Sequence, residues 1–251
     1  MTTPEPEYLL YYWPSLPGRG ELVRVVLEQA GAHYDDVARR PASAGGGPAA
    51  VVEQLRAAGP GLRPLAPPVL VHGELRVAQT ANICAYLGER HGLAPGDPAR
   101  RVEALQLQLT VADLVAEVHD THHPVAVHLY YAEQRPEALR RARGFVDRRM
   151  PKFLAYFEQV LADNGGEHLV GDALSHVDLT LAQVLRGLDY AFPRASAALA
   201  PRLPLLGALR ERVDALPRIV AYRGSDRCLG FNEDGIFRRY PELDLEPAAD
   251  T

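Results

Sequence analysis

Three histidines crowd one turn of the segment HDTHHP. His119, His122 and His123 stand at i, i+3 and i+4, so on a helix they share one face. Imidazoles in that pattern suit three kinds of chemistry. Two or three of them could ligate zinc or copper. They could exchange protons near pH 7. Or they could close a helix, where an imidazolium complements the negative end of the dipole and Pro124 stops the next turn. A second stretch, Pro67 to Thr80 (PPVLVHGELRVAQT), reads as strand, turn, strand and helix start. Val69, Leu70 and Val71 are a short apolar run, His72-Gly73 is the expected turn, and Leu75 and Val77 alternate with polar partners. Thr80 is expected to cap a helix over Ala81–His91 with its hydroxyl. Free backbone N–H groups at such a helix start make an anion site, suited to a carboxylate. Pro67 and Pro68 cannot donate to a ladder, and one of their bonds is a candidate cis peptide that would turn the backbone toward a ligand.

The elements around these stretches fall into two groups. Tyr8–Trp13 (YLLYYW) reads as a strand, and Pro14-Ser15-Leu16-Pro17-Gly18 as a loop. Gly18–Ala30 is an expected helix, with Leu22, Val23, Val26, Leu27 and Ala30 on one face and Gly31 at its end. His33–Val37 is a second strand, which makes a β-α-β unit with a parallel crossover. Arg39–Pro48 (RRPASAGGGP) is low in complexity and expected to be mobile, and Ala49–Ala58 is a weak helix. The first 92 residues therefore run βαβαββα, a thioredoxin-like order. Leu93–Pro98 is a linker. Beyond it helical periodicity covers Ala99–Asp120, Glu137–Asp163, Ser175–Tyr190 and Pro204–Ala215, with no convincing strand. The expected class is α/β plus all-α: a small domain over 1–92, then an all-helical one over 99–251. Within the second, Ser175 and Asp178 have capping-box spacing, with Asp in the usual place of Glu, which marks a well-capped core helix. The tail Phe231–Asp244 (FNEDGIFRRYPELD) either lies over the domain interface or packs on the surface.

Bulk properties exclude several classes. A net charge of -5 offers no field to hold nucleic acid or an anionic membrane. No run approaches the length of a membrane span, and the opening MTTPEPEY lacks a signal peptide's apolar core. Two cysteines, Cys84 and Cys228, cannot form a disulfide framework, which leads us to expect a reducing cytoplasm. Lys152 is the single lysine; with abundant Ala, Pro and Gly, this suggests a GC-rich bacterial genome. There is no internal repeat.

Taken together the layout resembles the soluble, cytosolic-type glutathione S-transferases, most nearly their tyrosine-type classes. Three motifs carry the likeness over nearly the whole chain: YYWPSLPGRGELVR (Tyr11–Arg24), PPVLVHGELRVAQT, and VGDALSHVD (Val170–Asp178). The central one is similar to the family's run of cis-proline, strand, turn, strand and Gln-Ser, with Gln79-Thr80 as the pair here. The resemblance implies that Gln79 and Thr80 grip the γ-glutamyl carboxylate. It implies that the backbone at Pro67 and Pro68 pairs with the cysteinyl unit as an added strand would, Pro68 matching the cis position best. Tyr12, followed by Trp13, takes the place of the residue that hydrogen-bonds the glutathione sulfur and favours its ionised form. Arg19 takes the place of a supporting arginine. One residue more than expected separates Tyr12 from Gly18, so Ser15 and Tyr11 stand as alternatives for the catalytic group. For the glycyl carboxylate the choice is Arg56, with Arg39, Arg40 and Arg63 as rivals. In dimeric relatives an Asp of the other subunit reaches the γ-glutamyl amine, and Asp113 fits that register.

The same resemblance places His119, His122 and His123, with Trp13, Tyr130 and Tyr131, around the second-substrate pocket, making it polar and aromatic. It implies a homodimeric detoxification transferase that uses glutathione as co-substrate and attacks a small electrophile, with no metal. A thiol-dependent isomerase, dehalogenase or peroxidase of a biosynthetic or catabolic pathway is the alternative the histidines motivate. A non-catalytic binding module is a third reading, against which Tyr12, Gln79 and Thr80 stand.

Overall fold

The computed structural model describes residues 6–59 and 61–247; most of the MTTPEPEY opening lies outside that range. Four short strands form one mixed sheet: β1 (Tyr8–Tyr11), β2 (Tyr34–Asp36), β3 (Val69–His72) and β4 (Leu75–Ala78). Their spatial order is β2-β1-β3-β4. β1 runs parallel to β2 and antiparallel to β3, and β4 returns antiparallel to β3. Helix α1 (Gly18–Ala30) makes the β1–β2 crossover, α2 (Pro48–Arg56) follows β2, and α3 (Thr80–Arg90) follows β4. This is the thioredoxin-like order.

Burial explains why α1 holds. Leu22, Val23, Val26 and Leu27 are buried, each contributing roughly 1.5–3 kcal/mol on removal from water. Gly31 ends the helix at φ 67°, the left-handed conformation that glycine takes most easily. Arg24 and Glu21, both buried on this helix, form an ion pair at 3.2 Å; Arg24 also pairs with Asp36 of β2 at 2.7 Å.

After Ala78 every regular element among the described residues is helical: α4 (Pro98–Asp120), α5 (Arg135–Gly144), α6 (Met150–Asp163), α7 (His176–Ala191), α8 (Pro193–Leu199), α9 (Pro204–Asp214) and α10 (Pro217–Arg223). The central helix is α7, packed on α1 and α3 of the sheet side and on α4 and α9 of the helical side. Its start is the expected capping box. Asp178, fully buried, accepts from Ser175 N (2.8 Å), Ser175 Oγ (2.7 Å) and Leu169 N (2.8 Å).

Several expectations need correction. The hairpin turn is Gly73-Glu74 rather than His72-Gly73, because His72 pairs with Leu75 in the ladder and Gly73 takes φ 58°. Thr80 is not the cap of α3. Gln79 occupies that position, without a side-chain cap, and Thr80 is the first helical residue. The helix expected over Glu137–Asp163 begins at Arg135, and a π-helical turn over Phe145–Arg149 divides it into α5 and α6. The RRPASAGGGP segment follows a 3-10 turn at Val37–Arg39, forms a second at Ala42–Ala44, and is tied back by a hydrogen bond from Gly47 N to Ala38 O at 2.8 Å. The tail lies across both halves of the chain. Ile236, Phe237 and Leu243 are buried, and Phe237 packs so closely on Gly187 of α7 that a Cβ there would fall 2.5 Å from the ring.

Candidate functional site

Ladder register brings the first site residues together. Tyr11 of β1 pairs with Val69 of β3, and Val69 pairs with Ala78 of β4. The next residues out along the same edge are therefore Tyr12, Pro68 and Gln79, side by side just beyond the ends of three adjacent strands. The Pro67-Pro68 bond is cis. Gln79 is exposed and is the one non-glycine residue at positive φ (67°) among those described. For a residue with a Cβ that conformation costs energy that surrounding structure must hold in place. Directly after it, Thr80 is buried and its Oγ1 has no hydrogen-bond partner. A buried hydroxyl without a partner is costly. This one sits where the first N–H groups of α3 emerge, so an incoming carboxylate would satisfy both.

Tyr12 is 5% exposed and lies under the start of α1. Its hydroxyl accepts a hydrogen bond from Arg19 N at 3.0 Å. Gly18 and Gly20 make that approach possible: a Cβ on Gly18 would collide with the Tyr12 hydroxyl, and one on Gly20 with its ring. Burial pushes the phenol's pKa up, while the Arg19 N–H and the charges of Arg19 and Arg24 pull against it. The net shift is upward, so Tyr12 stays protonated at neutral pH and keeps its own O–H free to donate. The Arg24 guanidinium lies 5.9 Å from the centre of the ring. Arg24 and the two glycines are contributors that motif reading left unremarked, although Gly18 and Gly20 flanking Arg19 carry the signal.

The alternatives are placed differently. Ser15 is exposed on the loop, its carbonyl accepting from Asn232 Nδ2 at 2.9 Å. Tyr11 is half-buried within β1, on the strand itself rather than at its end. Among the arginines, Arg39 donates to the carbonyls of Asp226 and Arg227, and Arg40 is paired with Asp35. Arg56 stands exposed in the last turn of α2, and Arg63 is exposed in the loop before Pro67. Asp113 is exposed on α4.

The histidines do gather. His119 and His123 stack at 4.9 Å and 16°, and His122 meets each edge-on at 5.2 and 4.8 Å. His122 Nε2 lies 2.8 Å from Ile236 O, and its Nδ1 lies 2.6 Å from His123 Nδ1. A carbonyl only accepts, so His122 carries its proton on Nε2, and His123 Nδ1 must donate to His122 Nδ1. The rings thus hydrogen-bond one another rather than turn their lone pairs to a common point. Among the described residues no group of three or more His, Cys, Asp or Glu is placed to hold a metal ion. Burial, with the charge of Arg238 and the neighbouring rings, lowers His122 to about 3 and His123 to about 4. His119 is lowered too, by burial first and then by Arg19. Trp13 is half-buried on the loop. Tyr130, by contrast, is 81% exposed. The aromatic beside the histidines is Tyr240 of the tail, 6.4 Å from His122 and stacked on Tyr131 at 3.9 Å. No motif announced Ile236, Arg238 or Tyr240, because their role comes from where the tail lands.

Comparison with known proteins bears on the chain as a whole. Residues 119–226 match the family model described as the C-terminal domain of glutathione S-transferase. Rabbit (Oryctolagus cuniculus) glutathione S-transferase alpha I is 28% identical over 231 residues, 91% of this chain and 93% of that one. Over nearly its whole length the chain is thus similar to soluble glutathione S-transferases. The Xenopus laevis glutathione S-transferase P 1 is likewise 28% identical, over 88% of this chain and 93% of its own. Among solved structures, a nematode-specific glutathione transferase of C. elegans superposes with a TM-score of 0.66 at 21% identity, covering 90% of this chain and all of that one. Prostaglandin synthase D of Nilaparvata lugens gives 0.67 at 20% identity, over 88% of this chain and 98% of that one. The likeness to these structures is one of fold, a thioredoxin-like sheet followed by a helical domain.

Proposed function

We propose that this chain is a glutathione transferase whose first 92 residues bind the tripeptide and whose helical part, residues 99–251, holds a small electrophile. The observation that carries the residue assignment is the sheet edge itself, where register alone sets Tyr12, Pro68 and Gln79 next to one another with Thr80 beside them. A tripeptide fits that edge on three counts. Thr80 Oγ1 lacks a partner, the first N–H groups of α3 favour an anion, and the backbone at Pro67 and Pro68 ends one ladder where an extended peptide can add to it.

Glutathione, when bound, supplies the sulfur nucleophile. Thr80 and Gln79 hold its γ-glutamyl carboxylate, and Arg56 serves the glycyl end. Tyr12 takes the Arg19 N–H on its oxygen and donates its own proton to the sulfur, lowering the thiol's pKa; each unit is worth about 1.4 kcal/mol. Arg19 adds positive charge nearby. Trp13 and the three histidines line the electrophile's side.

The working form is a homodimer in which Asp113 of one subunit reaches the γ-glutamyl amine bound by the other. Exposed apolar side chains support that arrangement: Leu62 and Leu65 ahead of β3 are about nine-tenths exposed, and Val102, Leu105 and Leu109 form an open stripe along α4. A cytoplasmic setting is supported by two unpaired cysteines, and no described helix is long and apolar enough to cross a membrane. The arginine-dominated composition supports a bacterial source, and general detoxification is the role a conjugating enzyme of this kind would fill.

Titration calorimetry with glutathione, beside conjugation of chlorodinitrobenzene, tests the reading. Wild type binds and turns over. Thr80→Ala loses about tenfold or more in affinity, the size of a hydrogen bond to a charged group. Glutathione failing to bind the wild type would overturn it.

A further inference from the structure

We propose that His123 is the polar anchor of the electrophile site, its Nε2 accepting a hydrogen bond from a hydroxyl or N–H group, so that the enzyme selects electrophiles bearing a donor. The inference rests on the transferase reading and deepens it.

Tautomers decide the matter. His122 donates from Nε2 to Ile236 O and accepts at Nδ1. His123 is thereby obliged to carry its proton on Nδ1, which leaves a lone pair on Nε2. Among the described residues no protein group is hydrogen-bonded to that atom. The ring cannot swing away easily, because His119 lies flat against it and His122 grips its other nitrogen. His122 is in turn fixed by the tail, since Ile236 is buried.

Position points the same way. Asn232 ties the tail to Ser15 of the loop after β1, and Gly235 lies against Pro17 in the same loop. The cluster is therefore held beside the start of α1, where the Tyr12 hydroxyl lies, and the Arg19 charge is felt at His119. The charges around it are unequal. Arg19 and Arg238 disfavour protonation of these rings. Asp120 is the acidic neighbour, and Arg141 holds it at 3.5 Å. Both His122 and His123 titrate well below pH 7 and stay neutral there. At neutral pH the exposed nitrogen is an acceptor, and the group that complements an acceptor is a donor. An electrophile without one would cover that lone pair without pairing it, which is the usual basis of discrimination by a hydrogen bond. His122 is a positioning residue, acting only through His123.

The test compares ortho-, meta- and para-hydroxychalcone, each with its methyl ether, as electrophiles for conjugation with glutathione. Wild type is expected to prefer at least one phenol over its ether by about tenfold in kcat/KM, the size of one neutral hydrogen bond out of water. His123→Leu is expected to erase that ratio. His122→Gln, whose amide can donate to Ile236 O and accept from His123 Nδ1, is expected to keep it, whereas His122→Phe loses it. A ratio near one for all three pairs in wild type, with the ethers and chlorodinitrobenzene turned over normally, overturns the inference and leaves the transferase reading standing. A preference that survives His123→Leu also overturns it. If wild type conjugates none of these electrophiles, the transferase reading fails and the inference falls with it.

Discussion

Tyr12 does two things with one oxygen. It receives the Arg19 N–H and keeps a proton to give. The phenylalanine variant retains the ring packing against Gly18 and Gly20 and removes only the donor. We expect Tyr12→Phe to raise the pKa of the enzyme-bound thiol by about one unit or more, read from the ultraviolet absorbance of the ionised thiol against pH. Glutathione affinity at the carboxylate end should change little. An unmoved thiol titration would remove Tyr12 from its role and leave Ser15 to be tested. The neighbourhood of Tyr12, Gln79 and Thr80 was legible because Tyr-aromatic-loop-Gly-Arg and Gln-Thr are local strings. Despite the added residue in the Tyr12–Gly18 loop, the hydroxyl lies against the start of α1, where the glycines let the helix close onto it. Thr80 was misjudged in one respect: a hydroxyl beside a helix start reads as a cap, yet the chain gives that position to Gln79 at positive φ and leaves Thr80 without a partner.

Among the elements, α7 was legible from its first residues. Ser175 and Asp178 close the capping box, and Asp178 also takes the Leu169 N–H from the preceding loop. Three buried donors lose their acceptor in Asp178→Ala. We expect that variant to lose about 3 kcal/mol or more of stability, measured by urea unfolding. Its kcat/KM per folded molecule should be retained. Short proline-led helices such as α8 and α10 were missed because seven residues give too little periodicity to rise above a loop. The tail was left open between two placements, since a few aromatics without period do not say what they cover.

That tail also gives a pH dependence. His122, tied to Ile236, titrates near 3 in the fold and near 6.5 in the unfolded chain. A lowered folded pKa means the unfolded state takes up protons first as pH falls. The neutral ring's contribution is therefore complete above pH ~6.5 and is lost progressively toward pH ~3. The groups facing it are Arg238, His119 and His123, none of which favours the charged form. Between pH 7.5 and 5.5 we expect wild type to lose about 1 kcal/mol more stability than His122→Gln, read from urea midpoints at the two pH values. Equal losses would place the titration elsewhere.

At the scale of the whole molecule, the sheet half and the helical half share one core through α7. What composition suggested as a change of class near residue 95 is a change of secondary structure without a gap in packing. The halves also leave apolar side chains in the open, Leu65 at 91% and Val102 at 68%. Sedimentation of the wild type is expected to give about twice the 27.5 kDa chain mass. Leu65→Glu combined with Leu105→Glu should yield single chains. A wild-type monomer at micromolar concentration would remove the two-subunit site and Asp113 with it.

The order in which the parts are made adds one consequence. The loop carrying Ser15 and Pro17 is translated well before the residues that brace it, Asn232, 217 positions after Ser15, and Gly235. His122 likewise waits for Ile236. A premature stop after α10 would keep the sheet and all ten helices yet remove both braces, freeing the Ser15 loop and leaving His122 without the acceptor for its Nε2 proton.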